Sequence, residues 1–199
     1  DETKYGLGIT PNQTYKKDVD ELVKHKERQN WKELRKNLKE HGIRNSTLMA
    51  LMPAETSAQI SNSTNGIEPP RGYISIKQSK HGVLKQVVPG FPYYKNKYDL
   101  LWDQKSPQGY LKIMAVLQKY IDQGISVNTS YNPEHYEDEK VPMSVLIQDL
   151  LMFYKYGGKQ LYYNNTYDGQ GEIDINKDDK LEELPLGEID DEDCESCKI

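Results

Sequence analysis

Thr47 opens a continuous apolar run, Leu48-Met49-Ala50-Leu51-Met52, that Pro53 ends. A strand without polar alternation is buried on both faces, and such strands occur where helices cover the sheet. The run therefore predicts an α/β class, and the neighbouring patterns agree with it. Residues 30–40 read as an amphipathic helix: Asn30 caps it, Glu33 completes a capping box, Trp31, Leu34 and Leu38 share a face, and Gly42 stops it. Residues 57–63 read as a short helix, and the stretch at 68–72, Glu-Pro-Pro-Arg-Gly, as loop. Residues 73–78 and 83–88, joined through His81-Gly82, read as a hairpin. Two longer helices are expected over 110–123, with Tyr110, Ile113, Met114, Leu117 and Ile121 on one face, and over 142–156, which opens with Pro142 and closes at Gly157. Residues 125–131 and 159–165 have strand composition and bracket the second of these helices, so the two strands are expected to be parallel.

Composition places limits on this body. Hydrophobic residues make up 36% of the 199. Exchanging the 15 Tyr for the 14 Gly leaves the share about the same, below the roughly 45–50% usual for globular domains. So polar a chain either carries a disordered segment or borrows part of its core from a partner. No apolar run approaches the roughly 20 residues needed to cross a bilayer, so a membrane protein is not expected. The opening, Asp1-Glu2-Thr3-Lys4-Tyr5, has neither an initiating Met nor a signal pattern, as expected of a processed, excised or truncated product. The only cysteines, Cys194 and Cys197, argue for a reducing, cytoplasmic setting. Sequons begin at Asn12, Asn45, Asn62, Asn128 and Asn164, and without an export signal they read as unmodified coincidences.

The formal charge of −5 conceals an asymmetry. Residues 168–199 hold 13 acidic and 3 basic side chains, leaving 18 acidic and 23 basic on residues 1–167, a +5 body against a −10 tail. The body lacks the Arg clusters, interleaved aromatics and zinc-finger spacing of a nucleic-acid binder and suits a small phosphorylated ligand better. Residues 168–193 are acidic and Gly-containing, so they are expected to be disordered. Three segments follow: 1–45, connecting and helical; 46–167, the α/β body; and 168–199, a flexible acidic tail with a terminal dithiol.

Candidate chemistry lies at three places. Pro53-Ala54-Glu55-Thr56-Ser57 follows the buried strand and opens a helix, where unpaired N–H groups and flanking hydroxyls suit a phosphate. Thr and Ser at a helix start also serve as ordinary caps, but the carboxyl end of a strand is where α/β folds bind ligands. Tyr162-Tyr163 invites a redox reading. With 15 Tyr in 199 residues about one adjacent pair is expected, and Tyr93-Tyr94 is a second, so composition alone makes them packing residues, one on each strand face. Cys194-Glu195-Ser196-Cys197 reads first as an exchangeable dithiol on a swinging arm, with half a zinc site or no role as the other readings. Asp174-Ile175-Asn176-Lys177-Asp178 imitates a calcium loop, but Asp179 stands where that loop needs Gly and Pro185 where it needs Glu. His25, His41, His81 and His135 lack metalloprotease spacing, and no metal site is expected.

Together these residues resemble the C-terminal quarter of the large, catalytic subunit of class Ia ribonucleotide reductase. The matching stretches are Asn45-Ser46-Thr47-Leu48, Leu51-Met52-Pro53 with Glu55-Thr56-Ser57, Gln59-Ile60-Ser61-Asn62, the specific run from Thr64-Asn65-Gly66-Ile67-Glu68 to Pro69-Pro70-Arg71-Gly72-Tyr73, Lys140-Val141-Pro142-Met143, Leu161-Tyr162-Tyr163 and the closing Cys197-Lys198-Ile199. The resemblance implies the last strands of a ten-stranded α/β barrel and radical reduction of ribonucleoside diphosphates to the deoxyribonucleotides that DNA replication consumes. It implies that Pro53, Ala54, Glu55, Thr56 and Ser57 bind the substrate diphosphate, with Ala54 replacing a Ser common in the family.

It also makes Tyr162 and Tyr163 relay residues for an oxidising equivalent from a di-iron tyrosyl radical in a partner small subunit. Cys194 and Cys197 become a redox shuttle recharged by thioredoxin or glutaredoxin, at a closer spacing than is often seen. No cofactor is expected on this chain itself. The radical-forming cysteine and the active-site pair of the family lie upstream of the matching region, so an N-terminal portion of the large subunit is an implied partner, whether the chain is a truncation or half of a divided subunit. The contrasting class is a non-catalytic assembly or binding module that kept the fold. Retention of Thr56, Ser57, both tyrosines and the dithiol favours the enzyme.

Overall fold

The computed structural model describes residues 3–64, 66–79 and 82–169. The acidic stretch from 170 onward, with Cys194 and Cys197, lies outside the described residues, as does His81 of the expected hairpin turn. Helices are α1 (Pro11–Thr14), α2 (Trp31–His41), α3 (Glu55–Ile60), α4 (Phe91–Tyr94), α5 (Gln108–Gln118) and α6 (Met143–Lys155); strands are β1 (Ile74–Ser79), β2 (Gly82–Val87), β3 (Val127–Tyr131) and β4 (Leu161–Thr166). The class is α/β, as expected.

β3 organises the body. Its odd positions, Val127, Thr129 and Tyr131, are buried while Asn128 and Ser130 are only partly so, the period of two expected of a strand that buries one face. β4 pairs with it in parallel across α6. On the other edge, Leu51 forms a parallel bridge to Ile125, with Ser126 N–H donating to Leu51 C=O at 2.9 Å. The edges are opposite because Ser126 turns its backbone to Leu51, whereas Tyr131, an odd position, accepts from Tyr167 N–H at 2.9 Å. Leu111, Met114 and Ala115 of α5 and Phe153 of α6 close over Ile125 and Val127, and Val19 fills the remaining gap. The approach is close enough that a Cβ on Gly158 would lie 2.3 Å from the Phe153 ring. β1 and β2 form the antiparallel hairpin separately.

Two buried ionic groups tie these layers together. Asp149 of α6 is fully buried, accepting from Gln108 Nε2 at 2.7 Å and from the Tyr131 hydroxyl at 3.0 Å. Burial, followed by the charge of Asp149, pushes the Tyr131 phenol well above its ordinary range. Lys119, buried at the end of α5, donates to Asp20 Oδ1 at 2.7 Å and to Val23 C=O at 3.1 Å. Each is hydrogen-bonded, as burial demands, Lys119 to the opposite charge of Asp20 and Asp149 to two neutral donors.

The run at 47–52 departs from expectation. Leu51 is half-buried in its bridge to Ile125, but Leu48, Met49 and Met52 are exposed. β3 covers one edge of this segment, and among the described residues its faces are not closed over by helices. α2 forms with its expected cap, Glu33 N–H donating to Asn30 Oδ1 at 3.2 Å, yet only Leu38 on it is buried. α3 begins and ends earlier than the predicted 57–63, since Asn62 adopts a left-handed φ of 51° that no helix continues. α5 stops at Gln118, short of the expected 123, and Ile113 is exposed. The reason is local: Gln118 Nε2 takes Ile121 C=O at 2.9 Å and Gln123 C=O at 2.7 Å, and Lys159 Nζ takes Asp122 C=O at 2.6 Å, turning the chain toward β3. No helix among the described residues is long and apolar enough to cross a membrane.

Asp122, in that turn, accepts from Tyr5 Oη (2.7 Å) and from the N–H groups of Leu48 (2.6 Å), Met49 (2.8 Å) and Gln123 (2.9 Å). Burial alone would raise its carboxyl; the hydrogen bonds from Tyr5, Leu48, Met49 and Gln123 outweigh burial and hold it below the ordinary aspartate value. A carboxyl depressed in the folded state adds stability that is complete above the unfolded value of about 3.9 and is lost as pH falls through the lower folded value. Urea midpoints taken from about pH 5 down to about pH 2.5 should therefore fall more steeply for the wild-type chain than for Asp122→Asn. Equal slopes would remove Asp122 from the acid sensitivity.

Candidate functional site

The parallel segments place the two expected body sites at opposite edges of β3, Pro53 to Ser57 beyond the Leu51 bridge and the tyrosine pair beside Asn128 near the start of β3. Pro53-Ala54-Glu55-Thr56-Ser57 leaves the strand end just beyond the Leu51 bridge and runs into α3, whose first intrahelical bond is Ala58 N–H to Ala54 C=O at 2.8 Å. The amides of residues 55–57 precede that bond and so have no intrahelical acceptor. Pro53, Ala54, Thr56 and Ser57 are exposed, presenting two hydroxyls and a row of backbone donors to solvent.

Tyr162 and Tyr163 are arranged differently from the packing expectation. Neither is buried, at 53% and 52% exposed, and they do not point to opposite faces. Their ring centroids are 4.0 Å apart, and Tyr163 Oη donates to Tyr162 Oη at 3.2 Å. Neighbours on a regular strand diverge. Here the register explains the convergence: Val127 pairs with Leu161 and Thr129 with Asn164, so β3 advances two residues while β4 advances three. The additional residue is a β-bulge at the tyrosine pair, the device by which strands re-aim side chains. The hydrogen bond to Tyr162, with the charge of Tyr162 second, raises the Tyr163 phenol above its ordinary value.

Asn128 faces this bulge from β3. Its Oδ1 accepts from Tyr163 N–H at 3.0 Å and its Nδ2 donates to Glu68 Oε1. In the sequence Asn128 reads as a sequon and Glu68 as part of a loop within the family-matching run; no local pattern marks their meeting, because 60 residues separate them. The terminal pair Cys194 and Cys197 lies outside the described residues.

The profile of the family described as "Ribonucleotide reductase, barrel domain" matches residues 1–94 and 91–164. The chain is 56% identical over 178 residues to "Ribonucleoside-diphosphate reductase subunit alpha" of Haemophilus influenzae, covering 89% of this chain and 24% of that protein. It is 51% identical over 200 residues to "Ribonucleoside-diphosphate reductase 1 subunit alpha" of Escherichia coli K12, and 43% identical to the corresponding subunit of Enterobacteria phage T4, covering 100% of this chain and 25% of the relative in each case. The chain thus spans about a quarter of the length of these relatives.

The phenol contact can be tested directly. Tyr162→Phe removes the oxygen that accepts from Tyr163, so the Tyr163 phenol should titrate at lower pH in the variant, followed by NMR of chains labelled at tyrosine Cζ. An unmoved Tyr163 resonance profile would show that the hydroxyls are not in contact.

Proposed function

The chain belongs to the ribonucleotide reductase barrel-domain family, and from that premise we propose that it is the C-terminal portion of a ribonucleoside-diphosphate reductase large subunit. On this reading residues 46–167 supply the last part of a ten-stranded barrel, residues 1–45 lead into it, and residues 168–199 form the acidic arm that carries the dithiol. The exposed apolar side chains at 48, 49 and 52 support this, since a strand segment left open on its faces suits a body whose covering layers come from other chain.

The observation that carries the proposal is the contact between the two phenols. When Tyr162 has lost an electron and its proton, Tyr163 can pass its hydroxyl hydrogen across the 3.2 Å contact: the Tyr163 O–H bond breaks, the Tyr162 O–H bond forms, and the radical moves to Tyr163. The oxidising equivalent would come from the di-iron tyrosyl radical of a partner small subunit. The exposure of both rings suits a relay that receives that equivalent from outside this chain.

Thr56 and Ser57, with the amides at the start of α3, would hold the diphosphate of the ribonucleotide, for which the +5 body provides favourable charge. Residues 1–193 contain no cysteine, so the cysteines that act on the ribose would come from the N-terminal portion of the subunit. Reduction of the ribose leaves that active-site pair as a disulfide. Cys194 and Cys197 would return it to two thiols by exchange, become a disulfide themselves, and take two electrons and two protons from thioredoxin or glutaredoxin.

Reconstitution with the N-terminal portion and the small subunit tests each part. Tyr162→Phe and Tyr163→Phe should each stop turnover while the complex still assembles; full activity in either returns that residue to packing. Thr56→Ala should weaken diphosphate binding by about 1.5–3 kcal/mol, the worth of a hydrogen bond to a charged group. Cys194→Ser and Cys197→Ser should abolish repeated turnover driven by thioredoxin yet leave a single turnover intact. Normal cycling in both would end the shuttle role.

A further inference from the structure

We propose that Asn128, oriented by Glu68, is the positioning residue that holds the β4 bulge open and so keeps Tyr162 and Tyr163 in contact. The inference rests on the relay reading of that pair and adds to it residues that themselves touch no reacting atom.

The bulge sets two residues of β4, Tyr162 and Tyr163, against Asn128 alone on β3 and thereby removes Tyr163 N–H from the regular ladder. An amide left without an acceptor costs free energy, and the strand could recover it by slipping back into regular register. A regular register would send Tyr162 and Tyr163 to opposite faces and part their hydroxyls. Asn128 Oδ1 supplies the missing acceptor at 3.0 Å, at the position where the two registers diverge.

That service depends on which end of the Asn128 amide faces β4, because its oxygen accepts and its nitrogen only donates. Glu68 decides it. An ionised carboxylate can only accept, so it draws Nδ2 toward itself and leaves Oδ1 for Tyr163. Glu68 in turn sits beside Pro69 and Pro70, and Pro70 C=O accepts from Leu101 N–H at 2.9 Å, which ties the loop to the helical side of the body. Tyr110 of α5 lines the same small cavity as Glu68 and Asn128, which brings the cluster to α5. The polarity thus runs from loop carboxylate through amide to strand N–H, ending at the tyrosine pair.

The test uses the complex of this chain with the N-terminal portion of the subunit and the small subunit. Asn128→Ala should lower kcat by about tenfold to a hundredfold, the scale on which small displacements of reacting groups act, with KM for the ribonucleoside diphosphate unchanged. Amide exchange at Tyr163 should become faster in the same variant. Asn128→Asp keeps the acceptor but sets two carboxylates against each other and should also lose activity. Adding Glu68→Gln reverses the polarity, since the Gln amide nitrogen can donate to the new carboxylate, and should restore kcat. Should Asn128→Ala fail to assemble, recovery of kcat on adding Glu68→Gln to Asn128→Asp decides: restoration supports the role, and its absence overturns it. Unchanged kcat in Asn128→Ala, with Tyr162→Phe and Tyr163→Phe inactive, overturns the positioning role and leaves the relay intact. Unchanged Tyr163 exchange in Asn128→Ala overturns it whatever the tyrosine variants do, whereas active tyrosine variants overturn the relay itself.

Discussion

The carboxylate of Asp122 joins three stretches that are distant in the chain. It accepts from Tyr5, from the adjacent amides of Leu48 and Met49, and from Gln123. The amides of Leu48 and Met49 set the level at which the 47–52 segment enters beside β3, and the bridge between Leu51 and Ile125 follows from that level. Since Pro53-Ala54-Glu55-Thr56-Ser57 begins two residues past Leu51, the height of the phosphate-binding candidate above the sheet is inherited from a carboxylate at the opposite end of the segment. A one-residue slip would reverse every side chain of the segment.

Behind the sheet, charge is used where apolar packing would have been simpler. Asp149 is covered by α5, α6 and β3 through Gln108 and Tyr131, and Lys119 is held against Asp20 and Val23. Removing one partner from such a group leaves the other unpaired in a low-dielectric interior, which costs more than the intact contact contributes. The Asp149 contacts therefore specify how α5 and α6 sit on β3, and hence how α6 delivers the chain to β4, while Lys119 fixes the N-terminal segment to the end of α5. The parallel pairing that positions the tyrosines rests on that delivery.

Much of this architecture was legible because it is local. The cap at Asn30, the stop at Gly42, the 3.6-residue period of α6 and the strand–helix–strand order all arise from residues close in sequence, and each formed at or near its expected place. The errors lie where distant groups compete with local preference. α5 had the apolar spacing to run on to 123, but Gln118, Asp122 and Lys159 turn the following residues into a bonded loop. The 47–52 run reads as buried on both faces, yet burial depends on what else is present to cover it, and no property of the run itself supplies that cover.

The candidate site divides in the same way. The 53–57 loop is legible because a strand end followed by hydroxyls and a helix start is a sequential pattern. The tyrosine contact is not, since adjacency on a strand implies divergence and only a change of register against another strand reverses it. That change is recorded at Asn128, whose own sequence context, Asn128-Thr129-Ser130, is that of a sequon. An amide is well fitted to such a place because it accepts at one end and donates at the other, so it can serve a displaced N–H while a carboxylate governs its orientation. The contact between the adjacent tyrosines thus draws on three segments: the bulged strand that carries them, the strand that supplies the acceptor, and the loop that sets the acceptor's polarity.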